Sequence, residues 1–242
     1  VERGAAIDLF GTSSAHALVG LFFDRQRRSR GTGVADRAVA PRAVSRVGVV
    51  GAGQMGSGIA AAAAQGGIPP VLVDLDEARV AAGVAAARAA LEARETAKRT
   101  TAVDPAGVLA RLSTGIRLES LSGADVVVEA VTEDETVKGK VLGDIAEVVG
   151  LGAVVATNTS TIPVSRLSAH IPAPERFVGM HFFNPVDRME LVEVVRGAAT
   201  DDATVATVVA LARRLGKLPL VVRDGPGFLV NRLLFPSMNE IG

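Results

Sequence analysis

A histidine and a glutamate twelve positions apart are the residues of this chain best suited to acid–base chemistry. His181 begins the segment His-Phe-Phe-Asn-Pro-Val, and Glu193 lies inside the apolar run Leu-Val-Glu-Val-Val. Imidazole titrates near neutral pH and a buried carboxylate can orient it, so such a pair can move a proton at pH 7. Each residue also has a structural alternative. His181 could be a hydrogen-bonded core histidine, and Glu193 could belong to a structural ion pair.

A glycine-rich turn supplies a candidate redox partner for this pair. Gly51, Gly53 and Gly56 follow the apolar segment Val47–Val50 and precede an alanine-rich run. In such a turn the first glycine permits the tight bend and the second lets backbone approach a pyrophosphate. The third permits close helix–strand packing, although glycine turns also serve packing alone. Asp74 ends the next apolar run, where a carboxylate can bond both ribose hydroxyls and repel a 2′-phosphate. The pattern therefore predicts NAD rather than NADP.

Alternating strands and helices must position these groups. Short apolar runs predict strands at residues 47–50, 71–73, 125–128, 153–156, 176–180, 191–195 and 218–222. Helical periodicity predicts helices after the glycine turn as far as residue 65, and over residues 76–97 and 203–215. This alternation indicates an α/β fold with a Rossmann-type, doubly wound, mainly parallel sheet.

Composition narrows the classes of partner and chemistry. Lysine plus arginine and aspartate plus glutamate number 26 each, so charge gives no reason to expect a nucleic acid partner. The chain has no cysteine, which rules out disulfides and thiolate metal sites within it, and we predict no metal. No apolar run reaches the roughly 20 residues that a membrane span needs. We expect a cytoplasmic protein.

Three regions are expected along the chain. Residues 1–44 are predicted to form a linker helix and a basic linker, and residues 45–224 the NAD-binding domain. Residues 225–242 are predicted to begin an all-helical C-terminal domain. The basic stretch at 25–33 is interpreted as a solvated linker, with a polyanion site as the alternative. Because the sequence starts without methionine and stops inside a predicted helix, we expect a piece of a longer protein.

Taken together, the motifs resemble the L-3-hydroxyacyl-CoA dehydrogenase family. The matching segments are residues 51–59, 127–131, 158–160, 181–186, 191–193 and 225–232, in the family's order and spacing. The resemblance implies NAD-dependent oxidation of (3S)-3-hydroxyacyl-CoA to 3-oxoacyl-CoA in fatty acid β-oxidation. It also implies that His181 is the catalytic acid/base and Glu193 its carboxylate partner.

The resemblance also assigns binding residues. It places Ser160 and Asn231 at the substrate, and it places Met55, Val131, Thr132, Glu133, Lys138, Ser160 and Asn184 along the cofactor. Asn184 precedes a proline, which is a turn signal in its own right. Lys138 has a rival interpretation as a helix ion pair with Asp134 or Glu135.

Residues 1–44 resemble the segment that joins an enoyl-CoA hydratase domain to the dehydrogenase in the bacterial multifunctional α-subunits. This implies a hydratase domain upstream, a thiolase subunit as partner and a homo-oligomeric full-length parent. The basic residues for the CoA phosphates are not clearly matched, and Lys98 and Arg99 are the candidates. Three alternatives remain open. They are a dehydrogenase for short hydroxyacyl-CoA or hydroxy acids, an NAD-binding piece without turnover, and a scaffold segment that docks a partner.

Overall fold

The computed structural model describes residues 31–36, 38–97 and 104–233. The chain divides into two compact units, Val1–Gly31 and Thr32–Gly242, and the structure below belongs to the second. The predicted linker helix, Lys98, Arg99 and the helix beyond residue 233 lie outside the described residues. The predicted domain boundaries at 44/45 and 224/225 stay predictions.

An eight-stranded sheet organises the described part of the chain. Its strands are β1 (Val47–Val50), β2 (Pro70–Val73), β3 (Ser113–Gly115), β4 (Val126–Glu129), β5 (Val154–Thr157), β6 (Phe177–Phe182), β7 (Leu191–Arg196) and β8 (Leu218–Arg223). Their order is β3-β2-β1-β4-β5-β6-β7-β8. Every neighbouring pair is parallel except β6 and β7. The predicted Rossmann-type, mainly parallel sheet is confirmed.

Helices connect the parallel strands. They are α1 (Gln54–Gln65), α2 (Glu77–Ala97), α3 (Pro105–Leu109), α4 (Glu135–Val148), α5 (Val164–Leu167) and α6 (Asp202–Arg214). Aspartates cap three of them, because Asp104, Asp134 and Asp201 each accept a hydrogen bond from an amide of the first turn. Among the helices of the described residues, none is long and apolar enough to cross a membrane.

The core lies on both faces of the sheet because successive strand side chains point to opposite sides. In β4, Val126 and Val128 join the buried cluster that includes side chains of α1 and α6. Val127, between them, joins the cluster that includes side chains of α4 and α5. Helices on both faces explain why the strands read as continuous apolar runs rather than as alternating ones.

The strand order places the glycine turn and the His181–Glu193 pair at the same side of the sheet, where the parallel strands have their carboxyl ends. The chain leaves β1 in one direction towards β2 and later returns to pair β4 on the other side of β1. In parallel sheets, ligands bind at the carboxyl ends of the strands where the order reverses in this way. The glycine turn after β1 lies at that point. β6 reaches the same edge and pairs with β7, where His181 is directly opposite Glu193.

Helix α4 gives a direct test of this core. Leu142 is fully buried against the sheet, whereas Leu151 is 85% exposed. We expect Leu142→Ala to lower the free energy of unfolding by about 2–5 kcal/mol, because it removes buried methyl groups and leaves a cavity. Leu151→Ala is the matched control and should change it by less than about 0.5 kcal/mol. Urea unfolding checks both, and equal losses would contradict the described packing.

Candidate active site

The three glycines of the turn meet different demands. Gly51 has a φ of +101°, and a Cβ there would lie 2.6 Å from the carbonyl oxygen of Ala130. A Cβ at Gly56 would overlap the carbonyl oxygen of Gly51. A Cβ at Gly53, by contrast, would meet no atom within 4 Å. The packing of the chain itself therefore requires the first and third glycines, and the second faces open space.

That open space has the chemistry of a phosphate site. Gly53 is the N-cap of α1, and no side chain caps this helix end. Met55 lies in the first turn of the same helix. The unpaired amides and the dipole at a helix N-terminus favour an anion there, so a pyrophosphate fits beside Gly53.

Two backbone hydrogen bonds hold the side chain of Asp74 beside the glycine turn. Asp74 follows β2, and its Oδ2 accepts a 2.6 Å hydrogen bond from the amide of Ala52 while Oδ1 accepts one of 2.7 Å from the amide of Leu75. A cavity of about 310 Å³ opens beside this carboxylate, with walls that include Ile116, Leu118 and Val131. An apolar cavity next to a carboxylate that can bond a ribose has the chemistry expected for an adenine ring.

His181 and Glu193 form a buried pair. The distance from His181 Nδ1 to Glu193 Oε2 is 2.8 Å, and the two residues are 4% and 0% exposed. An ionised carboxylate can only accept, so Nδ1 carries the proton and Nε2 of the neutral ring is left as an acceptor. The other carboxylate oxygen of Glu193 accepts the amides of Leu229 and Val230, each at 3.0 Å. Glu193 thus holds the histidine on one side and the chain after β8 on the other.

These contacts decide the charge of Glu193. Burial by itself raises the pKa of the carboxyl group, but the hydrogen bonds from His181, Val230 and Leu229 outweigh it. The pKa of Glu193 therefore lies below its ordinary value of 4.5. The group is ionised at neutral pH and can stabilise a positive charge on His181.

Two aromatic rings enclose the imidazole. The ring centroids of Phe183 and Phe228 lie 4.5 and 5.6 Å from that of His181. Phe228 is buried and has a φ of +50°, a left-handed conformation that is uncommon for a bulky residue. The next two amides are those that bond Glu193. Backbone strain at this position accompanies the contact between the chain after β8 and the acid–base pair.

The predicted substrate residues lie together. Asn231 Nδ2 donates a 3.1 Å hydrogen bond to the carbonyl oxygen of Ser160. Ser160 follows β5, and helical backbone starts at Val230, so the contact joins the sheet to the beginning of the next helix. Asn184 is exposed at the end of β6, three positions after His181, and the Asn184–Pro185 bond is cis.

Glu133 joins the ends of β4 and β5. One of its carboxylate oxygens accepts hydrogen bonds from Thr159 Oγ1 and the amide of Ser160, both at 2.7 Å, and from the amide of Thr161 at 3.1 Å. Burial raises the pKa of Glu133, but these bonds and the charge of Lys138 outweigh it and hold the pKa below its ordinary value. The predicted cofactor segment formed by Val131, Thr132 and Glu133 is therefore connected directly to Ser160.

The side chain of Lys138 pairs with neither Asp134 nor Glu135, and this corrects the alternative interpretation of that residue. Asp134 accepts the amide of Val137 as the cap of α4, and Glu135 pairs with Arg166 at 2.6 Å. Lys138 is 1% exposed, and its Nζ lies 2.7 Å from Oε1 of Glu129. Helix spacing identifies only neighbours along the same helix, whereas the strand beneath the helix supplies the partner of Lys138.

Sequence reasoning did not assign Glu129 to the site, although a signal was present. It is a single carboxylate at the end of the apolar run Val-Val-Val-Glu. Glu193 was recognised from the same kind of signal. Among the described residues, no group of three or more histidine, aspartate or glutamate side chains is placed to hold a metal ion.

A dinucleotide-type phosphate turn, a ribose carboxylate and a buried acid–base pair lie at one edge of a Rossmann sheet. Together they define the class of nucleotide-dependent dehydrogenases. The family model for the 3-hydroxyacyl-CoA dehydrogenase NAD binding domain matches residues 46–225. The chain belongs to this family, which acts on CH–OH groups with NAD, and its sheet forms an NAD-binding domain.

Similar proteins agree with this assignment. The fatty acid oxidation complex subunit alpha of Colwellia psychrerythraea is 43% identical over 235 residues, which cover 97% of this chain and 32% of that protein. The chain thus spans about a third of the length of this curated relative. The (S)-3-hydroxybutyryl-CoA dehydrogenase PaaH1 of Ralstonia eutropha superposes with a TM-score of 0.79 at 44% identity, over 82% of this chain and 70% of that one. FadB2 of M. tuberculosis gives 0.79 at 40% identity, over 83% and 71%.

The unequal demands on the glycines give a paired test. Gly53 has a φ of −70°, which alanine readily adopts. We therefore expect the free energy of unfolding of Gly53→Ala to equal that of the wild type. The added methyl group should nevertheless weaken NADH binding by about tenfold or more, because it occupies the pyrophosphate space. Gly56→Ala should lower the free energy of unfolding by about 1–3 kcal/mol. NADH fluorescence titration and urea unfolding measure the two effects, and unchanged NADH affinity in Gly53→Ala would contradict the phosphate site.

The lowered pKa of Glu193 predicts a pH dependence of stability. Because the pKa is depressed in the folded protein, the ionised group stabilises the fold above its ordinary value of 4.5 and loses that effect as pH falls through the folded value. The difference in free energy of unfolding between wild type and Glu193→Gln should therefore be largest at neutral pH and shrink towards pH 3. Glu175→Gln, at an exposed site, is the control. A difference that stays constant between these pH values would contradict the assignment.

Proposed function

We propose that the protein containing this chain oxidises (3S)-3-hydroxyacyl-CoA to 3-oxoacyl-CoA with NAD in fatty acid β-oxidation. The observation that carries the proposal is the buried 2.8 Å contact between His181 and Glu193. It lies at the sheet edge that also holds the glycine turn and Asp74. Family membership supplies the substrate class.

In this proposal His181 is the acid/base. Its free Nε2 accepts the proton of the 3-hydroxyl group, and Glu193 stabilises the imidazolium that forms. NAD, when bound, supplies the hydride acceptor for C3. Phe183 and Phe228 cover the imidazole and limit the access of water to it. Ser160 and Asn231 hold the substrate, and the amide of Asn231 turns from the carbonyl of Ser160 to a substrate oxygen.

A bound NAD would lie along the carboxyl ends of the parallel strands. Its pyrophosphate would be held at the turn formed by Gly51, Gly53, Met55 and Gly56, and its adenosine ribose by Asp74. The nicotinamide half would be lined by Val131, Thr132, Glu133, Ser160 and Asn184. The support for this arrangement is the open space at Gly53, the fixed carboxylate of Asp74 and the connection from Glu133 to Ser160.

The similarity to the subunit alpha from Colwellia supports the proposal that this chain is part of a longer, multifunctional protein. We propose that this chain is the dehydrogenase portion of a multifunctional α-subunit, with a hydratase domain upstream and a thiolase subunit as partner, and that the whole protein is a homo-oligomer. The gene tests this, because it should encode hydratase sequence before Val1. A gene that starts at the linker would overturn the proposal. The cytoplasmic location expected from the sequence stays a prediction.

A second candidate is a dehydrogenase for short acyl chains. It is favoured by the likeness to PaaH1 of Ralstonia eutropha, which is a 3-hydroxybutyryl-CoA dehydrogenase. Rates with 3-hydroxyacyl-CoA of four to sixteen carbons separate the two candidates.

If NADH binds but no acyl-CoA is turned over until the flanking coding sequence is added, the chain by itself is a binding module.

The acid–base role is tested by NADH oxidation with acetoacetyl-CoA. We expect His181→Ala to lower kcat by about 10²–10⁴-fold, because general acid–base catalysis contributes that much. Glu193→Gln should lose less, since glutamine still bonds the ring. His170→Ala, at an exposed histidine elsewhere, is the matched control. A wild-type rate in His181→Ala, with NADH binding intact, would exclude the proposed mechanism.

A further inference from the structure

Glu129 is a carboxylate without solvent contact at the carboxyl end of β4. It is 0% exposed, and both of its oxygens are engaged. Oε1 accepts hydrogen bonds from the amide of Val131 at 2.8 Å and from Lys138 Nζ at 2.7 Å. Oε2 accepts one from Thr157 Oγ1 at 2.7 Å. Three such hydrogen bonds hold the carboxylate in one position, and they fix the groups that donate them.

The ammonium of Lys138 faces oxygen atoms of the chain itself. An ammonium has three donors. Besides Glu129, Nζ lies 3.2 Å from the carbonyl oxygen of Val131 and 3.4 Å from Oε2 of Glu133. With 1% of the residue exposed, the side chain offers almost no surface to a bound ligand. The contacts that Lys138 makes in this structure are therefore with these neighbours.

The neighbours belong to the segments that line the cofactor. Val131 is held at its amide by Glu129 and at its carbonyl by Lys138. Glu133 is drawn towards Lys138, and its other oxygen accepts the amide of Ser160. On the β5 side, Thr157 bonds Glu129 three residues before Ser160. One buried carboxylate thus ties the segment after β4 to the segment after β5.

We propose that Glu129 is a positioning residue for NAD: through Lys138 and Thr157 it sets the geometry of residues 131–133 and 158–161. The proposal rests on the cofactor roles given above for Val131, Glu133 and Ser160. Stability alone is a poor reason for such a pair, because well-packed apolar residues often replace buried ion pairs without loss. The ion pair differs from apolar packing in directing hydrogen bonds to particular backbone groups.

The test compares stability with NADH binding in Glu129→Gln, Lys138→Met and the double variant. The chain has no tryptophan or tyrosine, so NADH fluorescence reports binding against little protein background. Each single variant removes one member of the buried ion pair and should lower Tm, whereas the double variant should regain most of that loss. NADH affinity should stay about tenfold weaker in all three, because the segments are no longer held in place. Glu147→Gln, at an exposed position of α4, is the matched control.

The following results of the NADH binding measurements would contradict the positioning role of Glu129. Wild-type NADH affinity in the double variant would show that the pair serves stability alone. Weaker binding in Lys138→Met but not in folded Glu129→Gln would show that lysine contacts the cofactor directly. If Glu129→Gln does not fold, Thr157→Val removes one bond to the same carboxylate and should weaken NADH binding without unfolding the chain. Unchanged binding in that variant would also contradict the proposal.

Turnover gives an independent measure. A positioning role predicts that Glu129→Gln raises the KM for NAD by about tenfold, while kcat at saturating NAD falls much less. A purely structural loss would lower the amount of active protein and leave this KM unchanged. Because NADH binding is measured without any acyl-CoA, the positioning role is judged even if the proposed substrate proves wrong.

Discussion

The hydrogen bonds accepted by the carboxylate of Glu193 are the interactions on which the geometry of the His181–Glu193 pair depends. One oxygen binds His181, and the other binds two amides at the start of the chain after β8. The first contact fixes the tautomer of the imidazole. The second holds the segment that leads to Asn231. Because both contacts use the same carboxylate, His181 and the segment before Asn231 share a single anchor, and the antiparallel pairing of β6 with β7 positions that anchor.

Glu129 and Glu193 follow the same physical rule at two points of one sheet. Each glutamate is fully buried, and each is surrounded by donors that offset the cost of removing its charge from water. Neither is easily replaced, because removing one partner leaves a buried group unsatisfied. In sequence, both appear as a single acidic residue in an otherwise apolar strand. Such a residue can be retained only where the fold brings donors to it, and in this sheet the donors are the strand-end segments that form the site.

The sequence predicted seven of the eight strands of the described sheet, the glycine turn and the His181–Glu193 pair, because each has a strong local pattern or, in the case of the pair, a family resemblance. β3 was missed, since Ser113–Gly115 has no apolar residue and forms an edge strand through backbone pairing with β2. The alternative helix pair considered for Lys138 is not formed, because helix spacing contains no information about the strand beneath, where Glu129 lies. The difference between Gly53 and Gly56 was assigned by motif, but only the three-dimensional packing shows which one the fold itself requires.

Ser160 is the point at which the two anchored regions meet. Its amide donates to Glu133, which faces Lys138 and through it Glu129. Its carbonyl oxygen accepts from Asn231, near the segment that Glu193 holds. The backbone of one residue is therefore bound through its N–H by Glu133, on the proposed cofactor side, and through its C=O by Asn231, on the proposed substrate side. A hydride transfer needs the two reactants at a fixed distance, and a short peptide segment held from both sides is a direct way to set that distance.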